Sequence, residues 1–176
     1  MIRKAVIKDI DGVEQIYLEV LDYESQHTVY TNWQKGLYPT RQVAQRAIEN
    51  ETLFVYEENN EIIGAVVLNQ IQPEEYKNIN WSIAASPEQV LVIHTLCISP
   101  CFSGCGKGFE LMIFAEQHAQ QMGANVIRLD TYEGNVPAVS FYKKLGYNYA
   151  GSTEFHFEKK IWETLKCFEK SVITET

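Results

Sequence analysis

Apolar residues recur along this chain at two spacings, and these predict where its strands and helices lie. Residues 2–7 have the apolar content of a strand. An apolar stripe at helical spacing then predicts a helix that Asp9 or Asp11 caps and that ends near His27. A polar and aromatic stretch over residues 28–39 breaks this period, and we expect it to link the first helix to a second one.

The following segment is predicted to contain that second helix and a hairpin. Helical spacing returns after Thr40 and predicts a helix over residues 41–50. Residues 53–57 and 62–70 are rich in β-forming side chains, and the polar residues between them have turn composition. Residues 74–86 are polar with embedded aromatic residues, so we interpret them as a loop with some extended structure.

The C-terminal half begins with an apolar run. Val90–Ile98 is apolar almost throughout, which is typical of a strand buried on both faces at the centre of a sheet. A glycine-rich turn and a long helix follow, and Gly123 ends that helix. The remaining predicted elements are helices over residues 108–122 and 136–145 and strands over residues 125–131, 147–155 and 160–171.

The order of these elements predicts the fold class. The order β-α-α-β-β-β-α-β-α-β-β indicates an α/β protein whose mixed sheet has helices on both faces. The strand–helix–strand step over residues 90–131 is expected to be a right-handed parallel crossover. No break in composition and no long linker divides the chain, so one domain is expected over residues 1–176.

Composition and charge exclude some functions. No apolar run approaches the ~20 residues that span a bilayer, and the first residues lack the apolar stretch of a secretion signal. The net charge of −8 argues against nucleic-acid binding, which needs a clustered basic surface. The four cysteines form no CxxC pair and have no histidines at zinc-ligand spacing. We therefore expect a cytoplasmic protein that needs no metal, nucleic acid or membrane.

A glycine-rich turn joins the buried strand to the long helix. Its residues are Ser103, Gly104, Cys105, Gly106, Lys107 and Gly108. Such a turn needs positive φ or close approach of another group, and backbone N–H groups at a helix start favour phosphate. The nucleotide P-loop is excluded because Gly108 stands where Ser or Thr is required. A dinucleotide fingerprint, a coenzyme A pyrophosphate site and a turn without ligand stay open.

A second motif follows about thirty residues later, over residues 135–147. Asn135 can cap a short helix, Pro137 fits its first turn, and Gly146 ends it. Within this helix stand Ala138 and the pair Phe141-Tyr142. On its own, the motif is consistent with a routine short helix.

Together, in this order, the two motifs resemble the GNAT superfamily of N-acetyltransferases. Gly106 and Gly108 match the small residues of its [Q/R]xxGx[G/A] motif, whereas Ser103 stands where the family has Gln or Arg. The resemblance spans about residues 93–147. It implies a mostly antiparallel sheet of about seven strands, acetyl-CoA as cosubstrate, and a pyrophosphate held by residues 103–108.

The resemblance also implies roles for single residues. Tyr142 would lie beside the coenzyme sulfur, where a phenol of pKa about 10 can protonate the leaving thiolate. Packing against the coenzyme or the core is the alternative for Tyr142, and a pure helix cap is the alternative to coenzyme contact for Asn135. The backbone around Leu96, Cys97 and Ile98 would polarise the thioester carbonyl and bind the pantetheine arm.

The base that deprotonates the amine has one main candidate. His94 interrupts the apolar strand, and strand alternation predicts that it shares a face with Leu96 and Ile98. An imidazole of pKa about 6.5 suits this task, although a buried structural histidine would leave the same pattern. Glu133 is the second candidate.

A covalent acyl-cysteine route is the less favoured mechanism. Cys97 and Cys105 lie near the expected site, but no activating base stands at a recognisable spacing from either. Both are better interpreted as small side chains.

The acceptor site is expected in the link between the first two helices. The resemblance places Tyr30, Trp33 and Tyr38 there, where aromatic rings suit an apolar or cationic group. Anchoring of the loop to the core is the alternative for all three.

The sequence therefore predicts a cytoplasmic acetyl-CoA-dependent N-acetyltransferase. It would transfer acetyl to a small-molecule primary amine by direct attack in a ternary complex. A non-catalytic acyl-CoA-binding or sensor domain is the alternative, and the position of the glycine turn argues against a nicotinamide-dependent oxidoreductase. An exposed edge of the C-terminal strand is expected to pair across a homodimer.

Overall fold

A computed structural model describes residues 1–173 of the chain. Its strands are β1 Ile2–Lys4, β2 Leu53–Glu58, β3 Glu61–Asn69, β4 Val90–Ile98, β5 Val126–Tyr132, β6 Asn148–Phe157 and β7 Ile161–Ser171. Its helices are α1 Ile10–Gln26, α2 Arg41–Glu49, α3 Lys107–Gln121 and α4 Val136–Lys144. These bounds lie close to the predicted ones, because each element carries its own apolar period and its own end signals.

The strands follow the order β1-β2-β3-β4-β5-β7-β6 in one seven-stranded sheet of the described residues. β4 and β5 pair in parallel, as predicted for the strand–helix–strand step, while β1–β2, β2–β3, β5–β7 and β6–β7 are antiparallel. This mixed, mostly antiparallel α/β arrangement confirms the predicted fold class. The prediction that the C-terminal strand lies at an edge is wrong, because β7 pairs on one side with β5 and on the other with β6.

The first of two compact units comprises Met1–Val29, Trp33–Leu68 and His94–Ala115. Its core forms where the apolar stripe of α1 meets small residues of α2 and the inner positions of β2 and β3. The members of this buried cluster are Ala5, Ile10, Val13, Ile16, Tyr17, Ala44, Ala47, Leu53, Val55, Ala65, Val67 and Cys97.

The second unit comprises Tyr30–Asn32, Asn69–Ile93 and the described residues from Glu116 onward. Its buried cluster contains Tyr76, Ile79, Val90, Val92, Val126 and Cys167. The expectation of a single domain over the whole chain stays a prediction.

Buried charges hold the segment between β3 and β4 onto the sheet of the second unit. Arg128 donates to the Gln72 side chain at 2.8 Å and to the carbonyl of Ile83 at 3.0 Å. Glu169 is 1% exposed and accepts hydrogen bonds from the backbone N–H and the hydroxyl of Ser82. The guanidinium of Arg128 also lies 4.3 Å from the centre of the Trp81 ring. Polar groups in this position need such partners, because an unpaired buried charge is costly.

Two predicted segments differ in the structure. β1 ends at Lys4, and a 3-10 turn follows, because Asp9 accepts the N–H of Val6 and binds Arg3 through both carboxylate oxygens. The loop predicted to have extended structure instead begins with a 3-10 turn at Glu74–Asn78. In this second turn the N–H of Tyr76 donates to the carbonyl of Pro73 at 3.0 Å.

Within residues 1–173, no helix has the length and apolar character needed to cross a bilayer.

Candidate active site

The glycine-rich turn has the backbone conformation that its composition predicts. A 3-10 turn at Pro100–Phe102 leads into it, and α3 begins at Lys107. Gly104 and Gly106 have φ values of +75° and +79°, in the left-handed region that side chains with a Cβ avoid. The prediction that this turn needs positive φ is confirmed.

Backbone donors collect in this turn. The N–H of Cys105 donates to the carbonyl of Phe102, whereas those of Gly104, Gly106, Lys107 and Gly108 donate to no other described residue. The first N–H groups of a helix lack intrahelical partners, and the helix dipole adds positive potential there. The turn is thus able to bind a phosphate or pyrophosphate through its main chain.

The side chain of Lys107 is bound within the first unit. Its Nζ lies 3.0 Å from the hydroxyl of Tyr56, 3.0 Å from Oε1 of Glu58 and 3.7 Å from Oε1 of Glu110. Hydrogen bonds to Tyr56 and Glu58 raise the pKa of Lys107, so the ammonium form is retained. Ser103, where the family has Gln or Arg, is exposed.

β4 is irregular at the point where its pairing changes. The parallel ladder with β5 runs from Val90 to Ile93, and β4 continues for five residues beyond it. Within that extension Thr95 has a φ of +49°, which interrupts the strand alternation. Leu96 and Ile98 are half-buried. The shared face that alternation predicts for His94, Leu96 and Ile98 stays a prediction, and the left-handed Thr95 lies between the first two of these residues.

The thiol of Cys97 belongs to the core. Cys97 is 6% exposed, and burial raises the pKa of its thiol to about 12. A thiol with this pKa is almost wholly protonated at neutral pH and is a poor nucleophile. Cys105, by contrast, is exposed, and its Sγ lies 3.7 Å from the carbonyl of Ser103. The environment of Cys97 favours its interpretation as a small core side chain, and that interpretation stays a prediction for Cys105.

The second motif lies in the second unit and forms α4. Asn135 is its N-cap, and its side-chain oxygen accepts the N–H of Ala138 at 3.2 Å. Tyr142 is 7% exposed, and its ring packs 6.1 Å from that of Phe168 and 6.2 Å from that of Tyr147. No described residue hydrogen-bonds to the hydroxyl of Tyr142. Burial raises the pKa of Tyr142, and the Asp130 carboxylate adds to this rise.

Asp130 is a residue that the sequence analysis missed. It follows four buried residues of β5 and is partly buried itself. The hydroxyl of Tyr76 donates to its Oδ2 at 2.7 Å, and burial raises the pKa of the carboxyl to about 6. An acidic residue inside a strand, directly after the buried residues 126–129, was the available signal. Glu133, the second base candidate, is exposed just beyond the end of β5.

The predicted acceptor residues fall into two groups. Trp33 and Tyr38 belong to the first unit, where their rings meet edge to face at 6.1 Å and Trp33 packs against the core. The hydroxyl of Tyr38 is hydrogen-bonded to that of Thr95, the left-handed residue of β4. Tyr30 belongs to the second unit and is 37% exposed. The structure thus joins Trp33 and Tyr38 to the stretch of β4 that contains His94.

The first unit also has a surface cavity of about 450 Å³ beside α1. Residues of α1 and α2 line this cavity, among them Glu14 and Arg41. The predicted acceptor residues Tyr30, Trp33 and Tyr38 do not line it. Within residues 1–173, no three or more His, Cys, Asp or Glu side chains group closely enough to hold a metal ion.

Comparison with known proteins assigns the family. Residues 13–147 match the Acetyltransferase (GNAT) family, a stretch that includes the glycine turn and α4. The chain therefore belongs to the GNAT acetyltransferase family. A crystal structure of a GNAT family acetyltransferase from Streptococcus agalactiae has the same fold, with a TM-score of 0.80 and 22% identity; the match covers 100% of this chain and 96% of that one.

Two curated relatives match part of the chain. YesJ of Bacillus subtilis, an uncharacterised N-acetyltransferase, is 30% identical over 118 residues, which are 65% of this chain and 64% of YesJ. Streptothricin acetyltransferase of Escherichia coli is 29% identical over 104 residues, 59% of this chain and 56% of that protein. The matched region thus spans less than two thirds of the length of these relatives.

Proposed function

We propose that this protein is an N-acetyltransferase that uses acetyl-CoA as cosubstrate and a small-molecule primary amine as acceptor. The amine would attack the thioester directly in a ternary complex. Membership of the GNAT family supports the reaction class. The observation that carries the proposal is the set of free backbone donors at Gly104, Gly106, Lys107 and Gly108, which suits the pyrophosphate of coenzyme A.

The coenzyme would extend from this turn along β4. Ser103 precedes the donors of the turn and Cys105 lies between two of them, and both would contact the pyrophosphate from exposed positions. The pantetheine amides would pair with the main chain of Leu96, Cys97 and Ile98, because the ladder with β5 ends at Ile93. An N–H of this stretch would also polarise the thioester carbonyl.

Residues of α4 would act at the sulfur end. Tyr142 would donate its hydroxyl proton to the leaving thiolate, and two features support this role. Its hydroxyl has no described partner, and its raised pKa keeps the phenol protonated at neutral pH. Asn135 would contact the coenzyme in addition to capping α4.

On the acceptor side, Tyr30, Trp33 and Tyr38 would bind the body of the amine through their rings. A small-molecule acceptor agrees with the name of the relative that acetylates streptothricin. His94 stays the sequence-based candidate for the base, next to the Thr95 hydroxyl that binds Tyr38.

Calorimetric titration with acetyl-CoA, with NADH as control, tests the coenzyme site. We expect micromolar binding of acetyl-CoA and no binding of NADH. A panel of amines, comprising polyamines, amino acids, aminoglycosides and lysine peptides, would then be assayed for thiol release. Binding without thiol release from any amine would favour the acyl-CoA sensor, and absence of binding would contradict the proposal.

We further propose a homodimer in the reduced environment of the cytoplasm. β6, at the end of the strand order, offers an open edge for pairing with a second copy. The four cysteines are free thiols, as expected in a reducing compartment. Light scattering would test the assembly, and a monomer at micromolar concentration would contradict it.

A further inference from the structure

One carboxylate of the second unit, that of Asp130, is hydrogen-bonded through a single oxygen. Oδ2 of Asp130 accepts the hydroxyl proton of Tyr76 at 2.7 Å, whereas Oδ1 accepts no hydrogen bond from a described residue. Tyr76 is 3% exposed and is part of the buried cluster of the second unit, so its hydroxyl is held rigidly. The carboxylate is therefore oriented through one oxygen and has the other available.

Asp130 also lies at a break in the sheet pairing. The parallel ladder between β4 and β5 ends at Leu129, the residue before it, whereas the ladder with β7 continues to Tyr132. The main chain of Asp130 is therefore outside the paired register of β4 and β5. A ligand can approach such a position without breaking a strand pair.

Asp130 is electrostatically coupled to the proposed acid. The charge of the Asp130 carboxylate contributes to the raised pKa of Tyr142. Tyr142 is itself 93% buried, and its hydroxyl has no described partner. Acid and base residues of one site are typically a pair whose environments favour opposite protonation states at neutral pH.

Other titratable groups surround the carboxylate. Glu75, on the same 3-10 turn as Tyr76, and Glu163 of β7 add negative charge, and Asn32 donates to Glu163 at 3.1 Å. Cys167 lies opposite Asp130 in the β5–β7 register, and burial raises the pKa of its thiol to about 12. Arg128, two residues earlier on β5, is bound to Gln72 and lies beside Glu169. Burial and the Glu75 charge raise the pKa of Asp130 to about 6, which suits proton uptake near neutral pH.

We propose that Asp130 is the catalytic base of the acetyl transfer and that Tyr76 is its positioning residue. This inference rests on the proposed function. Oδ1 of Asp130 takes one proton from the acceptor ammonium, and the neutral nitrogen forms the bond to the thioester carbonyl carbon. The carbon–sulfur bond then breaks, and the thiolate receives a proton from Tyr142. The nitrogen loses a second proton, which restores the phenol, and the proton on Asp130 leaves to water.

Asp130→Asn tests the proposal directly. Asparagine keeps the shape of the side chain and an oxygen that accepts the Tyr76 hydroxyl, so we expect the variant to fold and to bind acetyl-CoA with unchanged Kd. We expect kcat to fall by about 10²-fold or more, the usual contribution of a general base. The acidic limb of the kcat/KM profile, expected near pH 6 in the wild type, should disappear.

Two neighbouring substitutions should move that limb in opposite directions. Tyr76→Phe removes a hydrogen bond that favours the carboxylate, so the limb should shift to higher pH. Glu75→Gln removes a negative charge that disfavours the carboxylate, so the limb should shift to lower pH. A merely structural role of Asp130 would not produce these opposite shifts.

The outcomes separate this inference from the proposed function. If the wild type binds no acetyl-CoA and acetylates no amine, the proposed function itself fails. If the wild type is active and Asp130→Asn keeps its kcat and its acidic limb, Asp130 is not the base. Loss of the limb in His94→Ala but not in Asp130→Asn would assign the base to His94 instead.

Discussion

Nζ of Lys107 lies 3.0 Å from Oε1 of Glu58, a residue of β2 that precedes Lys107 by 49 positions. The same ammonium is hydrogen-bonded to Tyr56, whose hydroxyl binds Glu110. The one cation in the glycine turn is therefore neutralised by carboxylates of its own unit. It follows that the turn offers its backbone N–H groups to an anion without the help of a side-chain charge.

Ser103→Arg should consequently strengthen acetyl-CoA binding. Position 103 is exposed, and a guanidinium there can form charge-assisted hydrogen bonds to a pyrophosphate. We expect Kd to fall roughly three- to tenfold, in line with about 1 kcal/mol for one net hydrogen bond. Titration at two salt concentrations should show that the gain shrinks with added salt. Ser103→Leu is the control, and an equal effect of both substitutions would contradict a pyrophosphate site beside residue 103.

Gly106→Ala should weaken coenzyme binding through the backbone. At a φ of +79° an alanine is strained by about 1–2 kcal/mol, although no atom lies within 4 Å of the added Cβ. Gly123→Ala, at a φ of +77° and equally uncrowded, is a matched control at the other end of α3. Urea unfolding should give similar losses of stability for the two variants, whereas calorimetry should show weaker acetyl-CoA binding only for Gly106→Ala. Equal Kd values would remove the turn from the binding site.

Tyr142→Phe should lower turnover by about 10²-fold and leave the fold intact. The substitution keeps the ring that packs against Phe168 and removes a hydroxyl that binds no described residue. Tyr147→Phe is the control, since its hydroxyl donates to Glu116 at 3.3 Å and has no proposed part in the chemistry. Thiol release should fall only in Tyr142→Phe. Wild-type turnover in that variant would rule out the acid role.

Glu169→Leu should strongly destabilise the second unit. Glu169 accepts four hydrogen bonds from Ser82 and Ile83, and its removal leaves the buried Arg128 without a countercharge. Breaking a buried ion pair in this way costs about 3–5 kcal/mol. Glu74→Gln removes half of an exposed ion pair with Lys77 and should leave the urea midpoint unchanged. A small effect of Glu169→Leu would show that the hydrogen bonds of Glu169 are not needed to hold the segment between β3 and β4.

The sequence by itself determined most of the helices and strands and the conformation of the glycine-rich turn. Val90–Ile98 was predicted with its observed bounds because an almost continuous apolar run, followed closely by Pro100, limits where the strand can begin and end. Positive φ in the turn followed from Gly104 and Gly106, and the cap at Asn135 followed from its place before Pro137. These signals are local: they depend on residues within a few positions of one another.

Tertiary structure decided the contacts that give those elements their chemistry. The bond between Tyr76 and Asp130 joins residues 54 positions apart, and no periodicity in either segment indicates it. Thr95 has a left-handed backbone conformation inside a run whose sequence predicts a regular strand. In the sheet, β7 rather than β6 lies beside β5. Pairing partners and buried hydrogen bonds depend on which distant segments meet, and the protonation of a group such as Asp130 depends on that environment. A single sequence specifies these properties only through the folded chain.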